Sequence, residues 1–252
     1  MFKMIRGILI MSVLLVMIVI WAKAAEHSVG YISFVLGTKN DVKVQHAEQS
    51  GWRNIRLYEP VKNKDQIKTH IESRCEVKLD DGSVVRIGEN SNFKFSDISY
   101  QPKKRSFKSF LNWGRLWIRV PKTHRVADEF QIIAPSAVCA VRGTVYRIDA
   151  DSTTRIMVYD GAVDVGPNTT AEKDNDQSTL QPKNLKPHEI PGPQEIPGPY
   201  EVTLDQWIRI VKGFQIEIRP DGKYAKSRIN ENLDNQSDWV RWNKERDMSI
   251  KY

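Results

Sequence analysis

The chain is predicted to be mainly β: an elongated antiparallel sheet, sandwich or roll of about a dozen short strands, with a small α+β extension at its C-terminus. Three observations predict this. From Val29 to Val165 the dominant hydropathy period is two, turn residues recur at short intervals, and no helical stripe of ten or more residues interrupts the stretch.

Before the strands comes a segment with a different purpose. Lys3 and Arg6 precede an apolar run from Ile8 to Trp21, and Ala22-Lys23-Ala24 follows it. Those 14 residues fit the apolar core of a secretory signal and are short for a bilayer span of about 20. Small residues at 22 and 24 satisfy the cleavage rule, so residues 1–24 are expected to direct export to the periplasm or beyond. The alternative is an uncleaved anchor in the inner membrane, which would be the chain's only membrane contact.

The clearest strand pair is Glu76–Leu79 and Ser83–Ile87, joined by Asp80-Asp81-Gly82, because Asp-Gly is a strong hairpin signal. Further strands are expected at Val29–Leu36, Asp41–Val44, Phe93–Ile98, Phe107–Leu111, Leu116–Val120 and Phe130–Ile133. Val138–Val141, Val145–Asp149, Ile156–Tyr159 and, after Asp160-Gly161, Ala162–Val165 complete the β domain, placed at 25–166. Residues 167–199 form the next segment: its part from Pro182 to Pro199 carries half of the 12 prolines and repeats Glu-Ile-Pro-Gly-Pro from Glu189 and Glu195. Such a stretch favours extended backbone and reads as a linker.

The extension, 200–252, is expected to hold a helix, a strand and a short helix. Thr203-Leu204-Asp205-Gln206 fits a capping box, and Leu204, Trp207, Ile208 and Val211 then share one helical face. Phe214–Ile218 alternates as a strand up to the Pro220-Asp221-Gly222 turn, and Ser237–Arg246 suggests the last helix. So short a fragment, with three Trp, is expected to pack on the β domain.

Composition excludes several function classes. Hydrophobic residues at 40% and seven Trp supply a real core. Losing Lys3, Arg6 and Lys23 lowers the formal charge from +7 to +4, too mild an excess to argue for nucleic acid. The five histidines lack zinc-site spacing, and no phosphate loop or nucleophile elbow occurs. Asp174-Asn175-Asp176 starts like a calcium loop, but Thr179 and Leu185 stand where that loop needs Gly and Glu. No catalytic residue, metal or cofactor is therefore expected.

Cys75 shares a strand face with Val77 and Leu79, and Cys139 shares one with Ala137 and Val141. A bridge between them is one option, and two buried thiols packing as small hydrophobes is the favoured one. Lys103, Lys104, Arg105 and Lys108 form the densest basic run. It reads as a patch for an anionic envelope partner or, with more weight, as a charged hairpin tip guarding a sheet edge.

The order of motifs resembles the FecR domain, the periplasmic module of iron-dicitrate signalling regulators. The matching pieces are Gly37, Trp52 with Leu57, Asp65–Thr69, Ser73–Ser83 with Asp81-Gly82, Asn92–Phe95 and Trp113-Gly114-Arg115-Leu116. Phe130–Pro135, Val141-Arg142-Gly143-Thr144 and Tyr159-Asp160-Gly161-Ala162-Val163 follow. These positions read as structural: glycines at turns or close approaches, with Arg142 tying down carbonyls. The resemblance implies, for the regulators, a cytoplasmic region contacting a sigma factor ahead of one membrane span. Only six residues precede Gly7 here, so that role is not expected to carry over. The expectation is an exported, non-catalytic module for interaction, sensing or scaffolding with an envelope protein. The alternative is a glycan- or wall-binding module using exposed aromatics, against which burial of Trp52, Trp113 and Trp117 would count.

Overall fold

A computed structural model describes residues 28–38, 40–47, 49–101, 104–122, 127–168, 202–204 and 206–249. The export segment, Lys103 and nearly all of the proline-rich stretch lie outside these residues. Alternating apolar side chains produce β1 (Ser28–Leu36), β2 (Val42–Gln45), β3 (Arg53–Asn54), β4 (Pro60–Lys62), β5 (Gln66–Thr69) and β6 (Arg74–Leu79). Then come β7 (Val84–Ile87), β8 (Asn92–Tyr100), β9 (Lys104–Arg119), β10 (Ala127–Ile133), β11 (Ala137–Val141) and β12 (Val145–Ala150). The described chain continues with β13 (Thr154–Asp160), β14 (Ala162–Pro167), β15 (Val202–Thr203), β16 (Ile208–Val211), β17 (Phe214–Ile218) and β18 (Lys223–Arg228). It ends with a single turn of helix, α1 (Glu231–Asp234), and α2 (Asp238–Ser249).

The pairings resolve into two layers. Sheet A runs β4-β1-β6-β7-β9-β12-β13-β17-β18-β15. Sheet B runs β3-β2-β5-β8-β9-β10-β11-β14-β16. All these neighbours are antiparallel except β9 and β10. Inward side chains of both layers form one core: Val77, Val85, Ile118 and Ile148 from sheet A meet Ile67, Phe93, Phe107 and Ile132 from sheet B. Phe107 and Phe130 stack with ring centres 4.1 Å apart.

The expected strands at Phe107–Leu111 and Leu116–Val120 are one 16-residue strand, β9, that belongs to both sheets. Its first half pairs with β8 and β10, and from Gly114 onward it pairs with β7 and β12. Gly114 makes the crossing feasible. Its φ is +102°, and a Cβ there would lie 2.2 Å from Ser91 Oγ and 2.4 Å from Ser91 Cα.

One other expectation is corrected. No helix starts at Thr203: Ile208–Val211 is strand β16, paired with β14. The same residues satisfy a two-residue period, with Ile210 fully buried and Arg209 and Val211 exposed. The open edge of β14 decides between the two periods, as sheet context often does. Cys75 and Cys139 are not bridged: they are free, buried thiols on strands of different sheets. Burial raises both thiol pKa values far above the ordinary range. Phe214–Ile218 is a strand as expected, and the last helix extends to Ser249.

Candidate functional site

Two surfaces concentrate chemistry. The first is the outer face of sheet A. Cross-strand register lines up Phe34, Glu76, Arg86, Trp117, Arg147 and Met157 in one continuous row over six strands. Their neighbours along each strand point into the core, so alternation alone sends this row outward. Because α1 and α2 lie across it, Glu76, Arg86, Trp117 and Met157 are buried and Phe34 and Arg147 are only partly exposed.

Arg86 sits at the centre with its side chain fully buried. Its Nε donates to Glu76 Oε2 at 2.6 Å, and its Nη1 donates to Asp247 Oδ1 at 2.8 Å and to Asn243 Oδ1 at 3.2 Å. Asp247 also accepts from Trp117 Nε1 at 2.9 Å, and its carbonyl accepts from Arg119 at 2.8 Å. Arg246 grips Glu76 through two bonds of 3.0 Å, and its guanidinium lies 4.4 Å from the Phe34 ring centre. Trp117 stacks on Tyr159 at 4.4 Å, while Trp239 and Val240 close the apolar part. Asp234 accepts from Arg147 and from the Tyr159 hydroxyl, and Arg74 pairs with Asp238.

Burial would raise the Glu76 carboxyl pKa, but hydrogen bonds from Arg246, Arg86 and Ser33 outweigh it and hold the group down at about 2. Its folded value is below its unfolded one, so its contribution to stability is complete above about pH 4.5 and is lost as pH falls toward 2. The α2 amides are therefore expected to lose hydrogen-exchange protection over that acid window, ahead of the β core. Glu76→Gln should flatten the part of the acid response that belongs to α2. An α2 equally protected at both ends of the window would contradict the assignment.

The second surface is a groove of about 430 Å³ at the end of the sandwich where β3 and β4 form the sheet edges. It is lined by His46, Arg53, Arg56, Tyr58, Glu59 and Lys62, among others. His46 Nδ1 lies 3.0 Å from the buried Asp65 carboxylate, and its Nε2 lies 3.2 Å from Glu59. Arg53 pairs with Glu59, whose second oxygen accepts from the Arg56 backbone at 2.9 Å. Tyr58 takes a left-handed φ of +62° yet is 72% exposed, with its ring centre 6.4 Å from that of Tyr31. A large exposed side chain held at positive φ, its N–H bonded to Ile32 O at 2.8 Å, is a strained presentation of the kind found at functional sites. Leu57 and the 39%-exposed Trp52 flank this end.

The histidine is not set up as a base. Both ring nitrogens face carboxylates, and no hydroxyl or thiol bonds it among the described residues. Nor does any group of three His, Cys, Asp or Glu side chains there suit a metal ion.

The residues singled out in the sequence are scattered over the fold. Asp81 caps its turn through Ser83 N at 2.9 Å and receives Arg105 Nη1 at 2.6 Å. Arg105 is thereby fully buried, which breaks up the patch offered as the lesser reading of this run: Lys104 and Lys108 stay exposed, and Lys103 lies outside the described residues. Residues alternate along β9, so a run of cations cannot all face solvent. Thr144 Oγ1 donates to Ala162 O at 2.8 Å and ties the β11–β12 turn to β14. A Cβ on Gly161 would lie 2.7 Å from Gly143 O, and one on Gly143, at a φ of +59°, would lie 2.6 Å from Lys122 Cγ. Asp160 lies 3.9 Å from Lys122. Arg142 does not tie down carbonyls: it is exposed, with no side-chain bond among the described residues. Trp113 is 45% exposed beside the crossing, and Trp117 is buried. No pattern in the sequence singles out His46, Arg86, Tyr58 or the α2 contacts as functional. The alternation of β7 did mark Arg86 as pointing away from the core.

The family model described as FecR protein matches residues 65–164, so this part of the chain is a FecR-like module. Gly37, Trp52 and the groove loop precede the matched segment. No curated protein matches the chain. Two crystal structures of a protein from Parabacteroides distasonis, bearing the provisional description of anti-sigma factor, match at 15% identity with a TM-score of 0.44. The match covers 65% of this chain and 59% of theirs, so this chain spans less than two thirds of their length. No helix among the described residues is long and apolar enough to cross a membrane.

Proposed function

We propose that this chain is an exported, non-catalytic recognition module that binds an envelope protein partner in a regulatory or sensing role, with the β3–β4 end as its contact surface. The observation that carries the reading is the strained, exposed Tyr58 beside Tyr31, Leu57 and Trp52, with Arg53 and Arg56 at the same end. Tyr, Trp and Arg dominate the energetics of protein interfaces. The FecR match supports a regulatory context, and the pattern of residues 1–24 supports export to the periplasm or cell exterior.

The tilted Tyr31–Tyr58 pair also favours a second reading, a glycan surface, since aromatic faces pack on sugar rings. Crosslinking and pull-down from the envelope fraction separates the two. The full chain is expected to recover a discrete protein, and Arg56→Glu with Tyr58→Ala should reduce that recovery about ten-fold or more, as two interface anchors would. Both positions are exposed, so stability should move by no more than about 0.5 kcal/mol for each. Recovery of glycan without protein would overturn the reading.

A further inference from the structure

The α1–α2 segment takes no part in strand pairing, so both sheets complete their hydrogen bonding without it. It is nevertheless fitted closely to the face it covers. Sheet A presents Arg74, Arg86, Arg119 and Arg147 there, against Glu76 and, 3.2 Å from Arg147, Asp149. The segment answers with Asp238, Asp247 and Asp234, and with Arg246 for Glu76. Trp239, Trp242, Asn243, Arg246 and Asp247 recur three to four residues apart, the spacing by which an amphipathic helix presents anchors to a groove. The helix buries fully only Trp239, Val240 and Asn243. Most of its hold is ionic and hydrogen-bonded, which confers partner specificity more than affinity.

We propose that the outer face of sheet A is a docking site for a tryptophan-bearing helix with aspartates on its sheet-facing side, filled in cis by the chain's own α2 and open in trans to a helix of the same chemistry. Arg86, Arg119 and Trp117 read the Asp247 position, Glu76 reads the Arg246 position, and Arg74 reads the Asp238 position. Covalent linkage gives α2 a high effective concentration over the face, so a competitor enters only when the cis contact is weakened or the competing helix is in large excess. This site lies on a different face from the groove proposed above, so each can fail without the other.

The test uses the full chain and a fluorescein-labelled peptide of residues 230–249. Asp247→Asn in the chain weakens the cis helix and leaves every sheet residue unchanged. The labelled peptide is expected to bind this variant saturably at one per chain, about ten-fold or more tighter than it binds the unaltered chain. Added salt should weaken that binding, and the same peptide carrying Asp247→Asn should not compete. Asp238→Asn in the chain, which removes only the rim contact with Arg74, should give intermediate affinity. Hydrogen exchange on the variant chain reports whether α2 has left. An exposed α2 without saturable peptide binding overturns the proposal. So does an α2 that stays protected, because Asp247 would then not be its anchor. Loss of protection throughout the β core would overturn it as well, since the face would then not exist apart from its own helix.

Discussion

Arg86→Ala is expected to destabilise the protein by about 3–5 kcal/mol, because it takes the central cation from two carboxylates on a covered face and leaves a hole where the guanidinium was. Glu76 is nearly fully buried and Asp247 nearly so, and each would lose its closest cation. Urea unfolding of the variant measures the cost. The same network makes a second, less intuitive result follow. Replacing Glu76, Arg86 and Asp247 together by apolar side chains of similar size should cost less than Arg86→Ala alone, since no carboxylate on the covered face then lacks its cation and the freed Arg246, partly exposed, can turn to solvent. A cost for Arg86→Ala within about 0.5 kcal/mol of zero, the range of ordinary surface substitutions, would show that α2 does not cover the face as described.

Trp117→Ala is expected to cost about 3–5 kcal/mol, for a different physical reason. Trp117 lies between sheet and helix, stacked on Tyr159 and in the apolar cluster with Trp239 and Val240, and its Nε1 donates to Asp247. Truncation leaves a cavity that the rigid strand β9 cannot close, and it removes a donor from a buried acid. The two variants differ in their acid response. Trp117→Ala keeps the Glu76 ion pairs and so should keep their loss between about pH 4.5 and 2, whereas Arg86→Ala should blunt it. Unfolding free energies measured across that window distinguish the cavity from the stranded charge.

Strand content was legible because local pattern dictates it. The hairpin at Asp81-Gly82 and the alternation of Cys75, Val77 and Leu79 both rest on neighbours within a few residues. What stayed hidden depends on distant chain. Nothing near Phe107 or Leu116 says that they share a strand, because the crossing at Gly114 is set by Ser91 on another element. The apolar spacing of Leu204, Trp207, Ile208 and Val211 fits a helix until the edge of β14 claims Ile208 and Ile210. Arg105 looked like part of a basic patch because its partner, Asp81, is 24 positions away. The candidate sites were less legible still. Glu76, Arg86 and Trp117 share one row only through long-range register, and their helical cover comes from beyond position 230. Tyr58 gave no signal in the sequence, since a left-handed tyrosine cannot be read from composition or period.

The central claim, protein recognition at the β3–β4 end, is tested most directly by placing a photo-crosslinking residue at Tyr58 in the full chain, within the cells that make it. The account predicts a discrete protein adduct from this position. That adduct should disappear when Arg56→Glu is added, and it should be absent when the crosslinker is moved to the exposed Lys94 on the outer face of sheet B. Adducts to glycan alone, or none above the position-94 control, would contradict it.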